Sequence, residues 1–261
     1  MRPAVASKKR NQLIKDGYCV IDNILTEEFL DELRRESDRM LDHVEHPLHW
    51  KYQGSDLHVS GRDEPVIDRL INWNPTRDAL EALGLGDFKS HGGFIILSKP
   101  PGGPPLYWHQ DWMGWNDPIS CAPWPQYLFM SYYLVNTTIE NGCFQVIPGT
   151  HLKRIPLHDH LVSAHAEGGY YVVEDDPYMF CDHPDSIDSP VKAGSLVIGE
   201  GRVLHAARDN QSNRRRTLLL GWHSRPATVP GNWDGDVPEE ILNRDPNAKY
   251  EPTRVPGQYL K

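Results

Sequence analysis

The chain has 261 residues, with 27 Lys plus Arg against 36 Asp plus Glu, so its formal charge is −9. That balance argues against a general nucleic-acid binder, because phosphate binding needs a basic face and basic clusters such as Arg214, Arg215 and Arg216 are only three residues long. Hydrophobic residues at 39% suit a globular chain, and 22 Pro with 21 Gly disfavour a helical bundle and favour short strands joined by loops.

The opening residues, MRPAVASKKRNQLIKDG, hold no apolar core of the kind a secretory signal needs. No stretch approaches the ~18 apolar residues of a membrane span. The four cysteines, Cys19, Cys121, Cys143 and Cys181, form no CxxC pair, so a reduced, cytoplasmic compartment is expected. Residues 8–22 read as a short amphipathic helix running into DGYCVID, with a strand starting after Gly17. Thr26 is a helix N-cap, Glu27 and Glu28 suit the first turn, and Phe29, Leu30, Leu33, Met40 and Leu41 share one face, which predicts a helix over 27–43. A second helix is expected near 76–84, ending at Gly84. From Gly92 onward β-rich runs follow at 94–98, 127–135, 143–147, 170–174, 195–199 and 217–223. Helices first and strands after predict a β-barrel or sandwich with helices packed outside. From Pro226 the chain reads as an extended tail with one helical turn near 238–243.

The segment LYWHQDW carries the most chemistry. His109 and Asp111 are two apart, so on a strand both side chains point to one face and can reach one metal. Two His and one carboxylate with the other positions open is the arrangement of non-haem Fe(II) oxygen chemistry. An HxD pair alone is a weak signal among 13 His, and a second His must come from elsewhere. His205, in GSLVIGEGRVLHAA, follows a strand. Beyond it, Arg216, Leu218, Leu220 and Trp222 share a face. An Arg pointing into an apolar barrel needs an anion, and its planar fork suits a carboxylate.

Four segments together resemble the phytanoyl-CoA dioxygenase family, a branch of the Fe(II)/2-oxoglutarate oxygenases. They are LIKDGYCVIDNILTEEFLDELRRESDRML, IILSKPPGGPPLYWHQD, NGCFQVIPGTH and AGSLVIGEGRVLHAARDNQSNRRR, in family order across about 13–223. The resemblance implies a mainly β protein with flanking helices on a double-stranded β-helix (jelly-roll, cupin-like) core. It implies one domain over 1–261: helical support at 8–90, core at about 92–223 and tail at 226–261. It places Fe(II) on His109, Asp111 and His205, and the distal carboxylate of 2-oxoglutarate on Arg216. Gln110 completes the usual HQD triplet, and Ile95 and Ser131 fall where members contact the cosubstrate. Where members often carry a Ser that helps hold this carboxylate, the chain has Ala207.

The implied reaction consumes O2, converts 2-oxoglutarate to succinate and CO2, and hydroxylates an unactivated C–H of a small organic molecule. Desaturation or epoxidation is the alternative outcome. Retention of Asp111 argues against halogenation, and the charge of −9 gives no reason to assume a coenzyme A thioester. A jelly-roll metal enzyme without 2-oxoglutarate, or a binding module, is the rival; Arg216 and the complete triad argue against both. Tyr107, Trp108, Trp112, Trp115 and Trp124 crowd the HQD loop and suit a hydrophobic, planar or cationic substrate. Alternation points Tyr107 into the barrel with His109, and Tyr107, Trp112 and Trp115 are the expected substrate contacts. Segment 152–192 is a plausible lid, and the oligomeric state is left open. His43, His46 and His49, split by Pro47, read as surface; His158, His160 and His165 with Asp159 as structural or surface; His151 as structural; Arg214 and Arg215 as solvated; Cys143 as core; Asn210 and Ser212 as turn residues.

Overall fold

A computed structural model describes residues 1–42, 55–111, 125–161 and 176–225. Two antiparallel sheets face each other. The larger has the order β1 (Tyr18–Ile21), β8 (Leu196–Glu200), β5 (Tyr127–Tyr133), β10 (Arg216–Ser224), β3 (Lys89–Lys99), β2 (Ser55–Ser60). The smaller has the order β4 (Leu106–His109), β9 (His205–Ala207), β6 (Phe144–Val146), β7 (Ile187–Ser189). Leu97, Phe129, Val197 and Leu218 of the larger sheet meet Phe144 and Val146 of the smaller in one apolar layer. This is the expected jelly roll with helices outside.

Strand alternation sorts the rest. Phe129 and Tyr133 of β5 point between the sheets, while Leu128, Met130 and Tyr132 point out to the helices. There they meet Phe29, Leu30 and Leu33 of α2 (Glu27–Leu41), whose N-cap Thr26 accepts a 3.3 Å bond from the Phe29 N–H. A third cluster, with Trp108, Leu157 and Leu204, lies behind the smaller sheet.

The N-terminal third differs from expectation. Helix α1 (Pro3–Asp16) begins earlier than residue 8, with Pro3 in its first turn, and β1 follows Gly17 as expected. It ends at Gly17, whose φ of 85° is left-handed and where a Cβ would strike Val203. Helix α3 (Pro65–Ile71) and β2 escape the sequence reading, and α4 (Asn74–Ala82) is the helix expected near 76–84. β1 and β2 are the two edges of the larger sheet, so the stretch expected to be helical support also supplies strands. The expected strand at 170–174, His43, His46, His49, Trp112, Trp115, Trp124, His165, most of the middle of the proposed lid and the tail from Pro226 lie outside the described residues. No described helix is long and apolar enough to cross a membrane.

Candidate metal centre

β4 and β9 are antiparallel neighbours, with His109 and His205 as direct cross-strand partners. Their rings lie 4.1 Å apart between centroids. The chain leaves β4 after His109, and the Asp111 N–H bonds to the Gly201 carbonyl at 2.8 Å, which pins the following turn to the connection between β8 and β9. Asp111 Oδ1 then stands 3.5 Å from His109 Nε2 and 3.8 Å from His205 Nε2. One ligand atom from each residue lies within 4.8 Å of the others, and all three residues are buried.

The polar groups around the triad set its orientation. His109 Nδ1 is 2.9 Å from the Tyr107 carbonyl, and His205 Nδ1 is 3.0 Å from the Val203 carbonyl. A carbonyl only accepts, so each Nδ1 carries the hydrogen and each Nε2 keeps its lone pair for a metal. Asp111 Oδ2 accepts a 2.9 Å bond from Trp222 Nε1. The His205 ring stacks on Phe129 at 4.5 Å and 28°. Three donors converge on one point, which fits a two-His, one-carboxylate metal site. Trp222 was visible in the sequence as a residue on the inward face of β10, but its partner was not.

Arg216 lies on the same inner layer, 4% exposed, and its buried Nε has no hydrogen-bond partner. Burial lowers its pKa, with Tyr133 and Cys143 as the groups facing it. A desolvated guanidinium of this kind fits an incoming carboxylate. Ser131 is buried on the inner face of β5, between Val197 and Leu220. Ile95 lines a cleft of about 310 Å³ with His58, His91 and Trp222. Gln110 donates through Nε2 to the Arg202 carbonyl, and its buried Oε1 has no partner. Beneath it the Arg202 guanidinium pairs with buried Glu200 at 2.9 Å.

Tyr107 corrects the alternation argument. The register shifts between Leu106 and His109. Tyr107 joins the cluster behind the smaller sheet, edge-on to Phe180 at 6.3 Å and to His109 at 5.5 Å. Its ring therefore supports His109 from behind. The other residues set aside in the sequence take structural places. His151 donates through Nε2 to the Ile14 carbonyl at 2.9 Å, joining the PGTH turn to α1. His158 is buried, and His160 is exposed and stacks on Tyr178 at 3.6 Å. Arg214 and Arg215 are exposed. Burial pushes the Cys143 thiol up to about 11. Asn210 Oδ1 accepts from the Ser212 N–H at 3.1 Å, an Asx turn.

Residues 13–218 match the model of the phytanoyl-CoA dioxygenase (PhyH) family. The "Probable alpha-ketoglutarate-dependent hypophosphite dioxygenase" of Stutzerimonas stutzeri is 28% identical over 197 residues, 74% of this chain and 60% of that protein. The ectoine dioxygenase of Sphingopyxis alaskensis is 28% identical over 224 residues, 79% of this chain and 71% of that protein. The chain thus spans 60% to 62% of the length of the first curated relatives it matches. Among solved structures, the epimerase SnoN in complex with Fe3+, alpha ketoglutarate and nogalamycin RO shares the fold. The TM-score is 0.64 at 19% identity, covering 97% of this chain and 95% of that one.

Proposed function

The chain belongs to the phytanoyl-CoA dioxygenase family, and from that premise we propose that it is a non-haem Fe(II)- and 2-oxoglutarate-dependent dioxygenase hydroxylating a small organic molecule. The observation that carries the reading is the buried convergence of His109, Asp111 and His205 on the same inner layer as a buried Arg216 with an unpartnered Nε. The two Nε2 atoms and the Asp111 carboxylate would hold the iron. Arg216 takes the distal carboxylate of 2-oxoglutarate, with Ile95 and Ser131 along the wall. Gln110 ties the ligand loop to Arg202.

Bound there with O2, iron and 2-oxoglutarate supply the oxidising chemistry, which yields succinate, CO2 and a hydroxylated substrate carbon. The chain supplies geometry and shelter. The carbonyls of Tyr107 and Val203 aim the two imidazoles, and Trp222 holds the carboxylate. Phe129 and Leu218 line the layer between the sheets and keep it dry. Substrate enters by the cleft walled by His58, His91, Ile95 and Trp222, since Trp222 reaches from there to Asp111. Trp112 and Trp115, which follow Asp111 in the chain, supply the substrate contacts, while Tyr107 backs His109. A single domain acting in the cytoplasm on a small molecule is the simplest setting for this chemistry.

Anaerobic addition of 2-oxoglutarate to the Fe(II) protein is expected to produce the visible charge-transfer band of the chelate. Oxygenation in a metabolite extract is expected to give succinate and a product heavier by one oxygen. Asp111→Ala should abolish substrate-coupled succinate formation, and wild-type turnover in that variant would overturn the triad.

A further inference from the structure

The turn that joins β8 to β9 meets the metal centre at three successive carbonyls. It runs from Glu200 to Val203 and is closed by a 2.9 Å bond from the Val203 N–H to the Glu200 carbonyl. The Gly201 carbonyl accepts from the Asp111 N–H at 2.8 Å. The Arg202 carbonyl accepts from the Gln110 side-chain amide. The Val203 carbonyl faces His205 Nδ1 at 3.0 Å. A carboxylate ligand, the residue between two ligands and an imidazole ligand thus take their bearings from one tripeptide. A shift of that tripeptide moves all three together, and His109 follows His205 as its cross-strand partner.

Backbone bonds hold the two ends of the turn. The Glu200 N–H donates to the Gly17 carbonyl and the Gly201 N–H to the Tyr127 carbonyl, each at 2.8 Å. After the turn, the Leu204 N–H donates to buried Thr150 Oγ1 at 2.9 Å. The middle of the turn is held by an ion pair. Arg202 Nε donates to Glu200 Oε1 at 2.9 Å and Oε2 at 3.0 Å, and the two side chains are 2% and 0% exposed. Taking two charges out of water costs roughly what their attraction returns, so apolar residues of like volume often replace such a pair without loss of stability. What a fully buried pair adds here is a fixed position for the Arg202 backbone, since it ties the third residue of the turn to the first.

We propose that Glu200 and Arg202 are positioning residues of the metal centre: their pair locks the turn, and the turn aims Asp111, Gln110 and His205. This rests on the metal-site reading given above. The pair acts through the three carbonyls. Groups that hydrogen-bond behind metal ligands are typically worth about 10–100-fold in metal affinity, and this one pair stands behind two of the three ligands.

The full-length metal-free protein is titrated with Co(II), whose d–d bands report coordination geometry and whose affinity is read by competition with a chromogenic chelator. Glu200→Leu combined with Arg202→Met removes both charges at similar volume. The double variant is expected to melt, without metal, close to wild type, to bind Co(II) about 10–100-fold more weakly and to show altered d–d bands. Wild-type affinity and bands in the folded double variant would overturn the proposal and leave the metal site standing. Weaker binding with unchanged bands and a lower melting temperature would overturn it too, since that marks a loosened fold. Should the double variant not fold, Glu200→Asp decides, because it keeps both charges and shortens the tie by one methylene. Weaker binding with altered bands in that variant supports the proposal, and wild-type behaviour overturns it. No Co(II) binding by the wild type would overturn the metal-site reading itself, and this proposal with it.

Discussion

The two oxygens of Asp111 have separate tasks. Oδ1 faces the two imidazoles, while Oδ2 is occupied by the indole N–H of Trp222. Partners of this kind fix the orientation of a metal ligand, and removing one typically costs about 10–100-fold in metal affinity. Trp222→Phe keeps an aromatic ring, of smaller size, and deletes the donor. It is therefore expected to weaken Fe(II) binding within that range, read by competition with a chromogenic chelator, while the far-UV spectrum stays unchanged. Strand alternation predicted that His109 and Asp111 share a face, but Asp111 lies past the end of β4 and reaches His109 through the turn held by the Gly201 carbonyl, and His205 was pointed to only by the family resemblance. The Trp222 contact was not legible in sequence, because its partner lies 111 positions away and only the fold brings them together.

At the scale of elements, the centre depends on how closely β8 approaches β5. A Cβ at Gly199 would fall 1.9 Å from the Phe129 ring, and that ring stacks on His205. Gly199→Ala must push Phe129 toward the imidazole. The expected cost is about 1–3 kcal/mol from overpacking, read by urea unfolding, with weaker metal binding alongside. Elements with a long period were readable: α2 from its apolar face, and the centres of β3, β5 and β10 from their apolar runs. β7 and β9 have three residues each, too few to show a period, yet β9 carries a ligand. β2 and α3 lie in the N-terminal stretch, where helical signals on either side masked a short edge strand.

For the whole molecule, buried neutral histidines tie stability to pH. Burial lowers both His158 and His223 from 6.5 to about 4. Their unfolded forms take up protons first as pH falls, so the stability each contributes is complete above about 6.5 and is lost on the way down to about 4. Each shift corresponds to something on the order of 3 kcal/mol. Urea midpoints are expected to drop steadily from pH 7 to pH 4, and His158→Gln should flatten part of that slope.

The pairing of β4 with β9 has one more consequence. His109 and His205 are distant along the chain and meet only through that ladder, while Trp222 reaches Asp111 from the opposite sheet. No fragment of the fold holds a ready-made seat for a metal, unlike small domains that the ion itself folds. A metal held by those residues would clasp β4 to β9 within the smaller sheet. Any partial opening that parts β4 from β9 would release it, so metal retention under mild denaturant is a direct gauge of whether that ladder is still paired.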